Sequence, residues 1–311
     1  MSIQSYKKKF ESGEITKHEL IEDLYQYHDV LFNFSETLKD TEIEKIEISN
    51  SGVCFVTRET NYHPGGLRFM IDRDDKTTSP LTAFNFDILE KDDSEIIFKM
   101  VNKGDVVFDI GANIGWYSNH LAKKVESGYI HSFEPIPNTF NQLKQNIALN
   151  KFENVSINNM ALTETPQTLT FYFSPKFSGA ASSRNITGSS EIIELKCPAS
   201  TMDIYVEENK VSKIDFIKCD VEGAEYFVFK GGLNSLKKYQ PIVFTEMLRK
   251  WAAKFDYHPN DIIKLFTDLN YLCFVSDNGK MKELKEVTEE TIQTNYLFLH
   301  KEKHSSIIKS F

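Results

Sequence analysis

The sequence predicts an α/β protein built on a doubly wound, mostly parallel sheet of about seven strands. Three observations carry that expectation. A short apolar run, Val106-Val-Phe108, leads straight into Asp109-Ile-Gly111, the signature of a buried parallel strand entering a tight turn. Trp116, His120 and Leu121 then follow the turn bracketed by Gly111 and Gly115 at helical spacing. A second strand comes next, Gly128-Tyr-Ile-His-Ser-Phe133, and closes on a carboxylate, Glu134. Strand, glycine turn, helix, strand and acid make the mononucleotide-binding half of a doubly wound fold.

The other elements are read in chain order. Residues 1–40 look helical, with Thr16-Lys-His-Glu19 as a capping box. Ile21, Leu24, Tyr25, His28, Leu31 and Phe32 recur on one face of that helix. This face suits docking on the body of the protein, a dimer contact or another partner. Residues 43–90 read as short strands, with a hairpin turn at Ser49-Asn-Ser-Gly52 and a further strand at Leu67–Ile71. Residues 94–102 form a helix leading into the first main strand. The expected division is therefore an extension over residues 1–93 and a catalytic domain over 94–311. The extension is a candidate wall for a binding site, because pockets form where modules meet.

Beyond Glu134, Pro135 and Pro137 stiffen the turn, Asn138 is placed to cap a helix, and Asn150 suits the left-handed position at its end. Val155–Met160 is a third strand. Residues 164–200 break the rhythm: strands at Thr168–Phe173 and Ile192–Lys196 flank a polar stretch, Ser178–Asn185, read as a lid in which Arg184 meets the acceptor. A helix over 201–209 precedes a fourth strand, Ile214–Cys219, which ends at Asp220-Val-Glu-Gly223. A helix starts near Ala224, and a fifth strand, Pro241–Thr245, ends at Glu246. After a helix opened by Pro259, strands at Tyr271–Val275 and Tyr296–Leu299 complete the seven, with a turn at Asn278-Gly279.

Composition narrows the function. A net charge of -9 argues against a sequence-independent grip on nucleic acid, which needs a basic face. Cys54, Cys197, Cys219 and Cys273 are scattered and form no Cys-x-x-Cys pair, as expected of reduced thiols in a cytoplasmic protein, and a zinc site is not expected. No stretch is long and apolar enough to span a membrane. Lys7-Lys-Lys9 is followed by Glu11, Glu14 and Lys17 and not by an apolar segment, so it does not begin a signal peptide. The sequons at Asn33, Asn154 and Asn185 carry no weight without one.

Asn113 and Ile114 stand where a pyrophosphate-binding turn needs its middle glycine, and no Walker lysine is present. Asp109 would repel phosphate and suits a cation, such as the α-ammonium of S-adenosylmethionine. Val107-Phe-Asp-Ile-Gly-Ala-Asn-Ile-Gly115, Phe133-Glu-Pro-Ile-Pro-Asn138 and Ile214-Asp-Phe-Ile-Lys-Cys-Asp-Val-Glu-Gly-Ala-Glu225 together resemble the FkbM-type S-adenosylmethionine-dependent methyltransferases. The likeness runs roughly from Gly104 to Glu246. It implies a Rossmann-like class I methyltransferase sheet. It also implies a cofactor site at Asp109, Gly111, Asn113, Gly115, Glu134, Pro135, Ala161 and Asp220, and O-methylation of a sugar, glycan or other small-molecule hydroxyl.

Ligands of open α/β sheets bind beyond the carboxyl ends of the strands. Asp109, Glu134, Asp220 and Glu246 all stand at such ends. Methyl transfer to a weakly acidic hydroxyl needs alignment and a general base. Asp220, Glu222 and Glu246 are the candidates, with His63 and His258 behind them. Pairing of Asp220 with Lys218, and a divalent cation held by Asp220 and Glu246, are competing readings of the same acids. A nucleic-acid or protein methyltransferase on the same fold, or a non-catalytic cofactor-binding module, are the alternatives in function. Asp220-Val-Glu-Gly223 replaces the Asn-Pro-Pro-Tyr type of motif that favours methylation of bases.

Overall fold

Two helices open the chain in the computed structural model, which describes residues 2–87, 89–173, 182–184, 192–277 and 279–311. They are α1 (Ile3–Glu11) and α2 (Lys17–Thr37). The capping box is present: Thr16 accepts from the Glu19 amide, and the Glu19 carboxylate accepts from the Thr16 amide at 2.7 Å. Strands β1 (Ile43–Ser49), β2 (Gly52–Thr57) and β3 (Arg68–Met70) form a small antiparallel sheet with β2 in the middle. Helices α3 (Ser79–Asn85) and α4 (Lys91–Met100) lead into the main sheet.

The chain then alternates through β4 (Val106–Ile110), α5 (Trp116–Val125), β5 (Tyr129–Phe133), α6 (Pro137–Asn150) and β6 (Val155–Asn158). A second small sheet interrupts it: β7 (Ala161–Leu162), β8 (Gln167–Phe173) and β9 (Ile193–Ser200), in the order β7-β9-β8. The rhythm resumes with α7 (Met202–Glu208), β10 (Phe216–Cys219), α8 (Glu225–Lys230), α9 (Leu233–Tyr239) and β11 (Ile242–Glu246). Helix α10 (Arg249–Ala252), a 3-10 turn at Ala253–Phe255, and α11 (Pro259–Asp268) come before β12 (Tyr271–Asp277), β13 (Lys280–Glu283), β14 (Asn295–His300) and α12 (Ser305–Ile308).

The main sheet runs β13-β12-β14-β11-β10-β4-β5-β6. β11, β10, β4, β5 and β6 are parallel, whereas β14, β12 and β13 pair antiparallel. All seven expected strands are present, and β13 adds an eighth by folding back on β12. Of the turn expected at Asn278-Gly279, Asn278 lies outside the described residues. So does most of the stretch read as a lid, Ser178–Asn185, of which only residues 182–184 are described, and with it the Asn185 sequon.

Alternation along the strands sets the two cores. Val107, Ile130, Phe216 and Phe244 pack on one face with Trp116, Leu121 and Phe98. Phe108, Phe133, Ile217 and Val243 pack on the other with Met202, Val228 and Phe266. Helix α6 begins one residue before Asn138, at Pro137, and no side chain caps it. Two of its asparagines bind the extension instead. Asn146 Oδ1 accepts from the Met70 amide, and Asn150 exchanges two hydrogen bonds of 2.9 Å with the backbone of Arg68. The left-handed residue after α6 is Lys151, because Asn150 is committed to β3.

Candidate functional site

One cavity of about 810 Å³ opens over the carboxyl ends of β4, β5, β10 and β11, flanking the point where the strand order reverses between β4 and β10. At one end it is lined by Gly111, Ala112, Asn113, Glu134, Pro135 and Ala161. At the other stand Lys218, Asp220, Glu222 and Glu246, with Glu90 and Tyr117. The extension contributes Thr77, Ser79 and Thr82. Ser183 and Arg184 also reach the cavity, with the Arg184 guanidinium 5.8 Å from the centre of the Phe255 ring.

Glu134 dominates the first end. It is buried, and its two oxygens accept from the backbone amides of Ile136 at 2.9 Å and Asn113 at 3.1 Å. Asn113 reaches that amide geometry with a left-handed φ of 49°, which asparagine tolerates better than most residues. Burial pushes the Glu134 carboxyl up to about 7 against the pull of those two amides. No cation lies within 4 Å of it among the described residues, and it lines the cavity.

The glycine turn works differently from the expectation. A Cβ on Gly111 would lie 1.8 Å from the carbonyl oxygen of Asp220, so the glycine lets β4 and β10 converge. Gly115 does not line the cavity; a Cβ there would strike Leu143 at 2.5 Å. Asp109 does not line it either. Its carboxylate is turned into the protein, where Oδ2 accepts from Ser118, and burial raises its pKa. Asp109 and Gly115 thus support the turn from behind, and direct contact with a ligand, expected for both, is not what their geometry offers.

The second end is a cluster of acids on a bent turn. Glu222 sits at φ 55° and Gly223 at φ 101°, and a bulky residue in the left-handed region marks a constrained position. Glu225 braces the turn: its Oε1 accepts from the amides of Val221 and Gly223, both at 3.1 Å, and Oε2 accepts from the Tyr257 hydroxyl at 3.1 Å. Ser182 adds a hydrogen bond of 2.9 Å to the Glu222 carbonyl. Burial and the charge of Asp220 push Glu222 up to about 8 and Glu246 up to about 9.

Among the described residues, Lys218 is the buried ammonium that faces these acids. Its Nζ lies 3.3 Å from Asp220 and 4.9 Å from the centre of the Tyr117 ring. Burial would lower its pKa, but Asp220, Asp109 and Glu90 outweigh that and hold it above the usual value. The pairing of Asp220 with Lys218 is therefore present, within the cavity. Among the described residues, no group of three or more His, Cys, Asp or Glu side chains is arranged to hold a metal ion.

The reserve bases are elsewhere. His63 is buried beside His120 and Trp116, with Nε2 3.6 Å from Glu42. His258 caps α11, accepting from the Asn260 amide. Sequence reasoning named Lys218 only as a partner of Asp220, and missed Tyr117, Glu90 and the bracing role of Glu225 as parts of the site. A lysine inside an apolar parallel strand was the available signal, since a strand buried on both faces has no place for an unpaired ammonium.

Numbered by position in the chain, β4, β5, β6, β10, β11, β12 and β14 are strands one to seven of a sheet ordered 3-2-1-4-5-7-6 with the seventh antiparallel. That arrangement, with an acid closing the second strand, defines a class I methyltransferase. The chain belongs to the FkbM methyltransferase family, whose domain model matches residues 109–273. It is similar to the hexuronic acid methyltransferase AglP of Haloferax volcanii, 27% identical over 179 residues, covering 58% of this chain and 68% of that protein. It also resembles methyltransferase 1 of Beauveria bassiana, 25% identical over 142 residues, covering 40% of this chain and 57% of that protein. The crystal structure of an FkbM methyltransferase from Methylobacillus flagellatus aligns with a TM-score of 0.41 at 14% identity, over 63% of this chain and 43% of that one.

S-adenosylmethionine is the cofactor of such enzymes, and the residues present fit it. A buried carboxylate with free lone pairs and no cation calls for neutral donors, which a ribose diol supplies. The short apolar wall of Ala161 and Leu162 beside it suits a flat base. No helix of the described residues is long and apolar enough to cross a membrane.

Proposed function

We propose that the protein transfers a methyl group to a hydroxyl of a sugar or glycan, with other small-molecule hydroxyls as the wider class. The observation that carries this reading is the division of one cavity into a ribose-binding carboxylate at Glu134 and an acid cluster at Asp220, Glu222 and Glu246. Similarity to a methyltransferase named for hexuronic acid supports a sugar as acceptor. Bound S-adenosylmethionine supplies an electrophilic methyl group.

The protein's own residues do the rest. Glu134 accepts the ribose hydroxyls, with Pro135, Asn113 and Ala161 shaping that end. Glu222 takes the acceptor proton on a carboxylate oxygen. A value of about 8 makes it a stronger base than an exposed glutamate while leaving it partly ionised near neutral pH. Glu246, held neutral by a value of about 9, donates a hydrogen bond to an acceptor oxygen. Asp220, paired with Lys218, keeps both neighbours basic. The extension, residues 1–93, supplies Thr77, Ser79 and Thr82 as the acceptor wall, and Arg184 closes over it.

The test is incubation with S-adenosylmethionine and a panel of sugars that includes uronic acids, read by mass and by the position of the new methyl. The expected product carries one methyl on oxygen, with a rate that rises with pH through about 8 as Glu222 ionises. Methylation on nitrogen of RNA or protein, or cofactor binding without turnover on any hydroxyl, would overturn the reading.

A further inference from the structure

The helical hairpin at the start of the chain carries a second surface, and none of its residues lines the cavity. One side of α2 faces inward. Leu20, Leu24 and Tyr27 are half-buried there. Tyr27 meets Tyr6 of α1 at a ring distance of 6.3 Å, and Phe34 meets Phe84 at 5.3 Å. Advancing roughly 100° per residue, a different row of α2 is composed of Lys17, Ile21, Tyr25, His28, Phe32 and Glu36. All six are exposed. Ile21 is 53% exposed, Tyr25 59% and Phe32 64%, which is unusual for three large apolar side chains in one line.

The row reads the same in both directions. Its steps are four, four, three, four and four residues. A two-fold axis passing between Gln26 and Tyr27 therefore sets Ile21 against Phe32 of a second copy, Tyr25 against His28, and Lys17 against Glu36. An isologous contact needs this kind of self-complementarity. Steps of four, four and three make an eleven-residue spacing, about 3.67 residues per turn, which winds paired helices into a right-handed supercoil. The charges agree with the register: Lys17 at one end of the row meets the acid at the other, which among the described residues is paired with the exposed Lys39. Glu22 and Asp29 flank the row, so an anionic membrane surface would be repelled.

We propose that this row is the seam of an antiparallel, two-fold pairing of α2 helices between two copies of the chain. One helix from each copy makes a small interface, so the dimer forms in a concentration-dependent way. The proposal does not depend on the acceptor or the reaction.

Sedimentation of the full chain over a wide concentration range tests it. The wild type is expected to pass from monomer to dimer. Ile21→Glu or Phe32→Glu should raise the dissociation constant more than about tenfold, with the melting temperature kept because both side chains are exposed. Lys17→Glu alone and Glu36→Lys alone should each weaken the dimer, and the two together should restore it. Orientation is read by oxidation, since Cys54, Cys197, Cys219 and Cys273 are all buried. Ile21→Cys and Phe32→Cys proteins should cross-link when mixed and not alone, because the pairing holds equivalent residues about 16 Å apart along the axis. A monomer at every concentration, a dimer indifferent to Ile21→Glu, or cross-linking of Ile21→Cys with itself would overturn the proposal.

Discussion

Glu134 is a buried and Glu222 a half-buried carboxyl lining one cavity, and the protein treats them in opposite ways. Two backbone amides hold Glu134, and burial, with a smaller push from the charge of Asp109, raises it to about 7. Among the described residues Glu222 has no such cage; burial and the adjacent Asp220 raise it further, to about 8. Caging with neutral donors fixes a carboxylate in place, as binding a ligand requires. Crowding with like charge makes a carboxyl basic, as removing a proton requires. On the function proposed above, the difference would separate a binding end from a reacting end within a single pocket.

The largest effect should come from removing the crowded acid. Glu222→Gln is expected to lower kcat by about 10²–10⁴-fold, with cofactor affinity kept within a few-fold. Equal kcat in the variant and the wild type would break the comparison at its reacting end. A smaller effect should appear at the caged end. Ribose hydroxyls favour the ionised form of Glu134, so cofactor affinity should rise with pH through about 7. Between pH 6 and 8 the gain should approach about tenfold, following the rise in the ionised fraction. A flat profile, read by calorimetry, would assign the ribose to another group.

How much of this was legible in the sequence follows the same division. The binding end was readable because strand, glycine turn and acid are contiguous in the chain, so Glu134 and the turn were found together. The strand order was readable for the same reason, as alternation of runs and helices. What hid was the role of residues whose partners are distant in sequence. Asp109 looked ligand-facing until Ser118 was seen to hold it. Gly111 lines the cavity as expected, but the reason it must be glycine is Asp220, more than a hundred residues on. Lys218 and Glu225 were visible as letters, yet their work depends on Tyr117 and Tyr257. The strand β13 lacks an apolar pattern, so nothing local announced it.

The smallest effect concerns stability. Glu222 and Glu246 have folded values of about 8 and about 9, above the ordinary 4.5. A raised carboxyl value means that the folded state binds more protons, so stability falls as pH rises from 4.5 through 8 and 9. Glu246→Gln removes one of these protons from the balance. At pH 4, where Glu246 is neutral in the folded state and largely neutral in the unfolded one, the variant should melt close to the wild type. At pH 9.5 it should melt a few degrees higher, about what a 1 kcal/mol change gives in a protein of this size. Parallel melting curves at both pH values would show that Glu246 is not strained by its neighbours.

The separation of the two ends is tested most directly by calorimetric titration of S-adenosylmethionine into three proteins: wild type, Glu134→Ala and Glu222→Gln. Glu134→Ala should lose roughly 1.5–3 kcal/mol of binding, the worth of hydrogen bonds to a charged group, and Glu222→Gln should bind within a few-fold of the wild type. Loss of binding in Glu222→Gln with Glu134→Ala unaffected would contradict the assignment of the cofactor to the caged carboxylate.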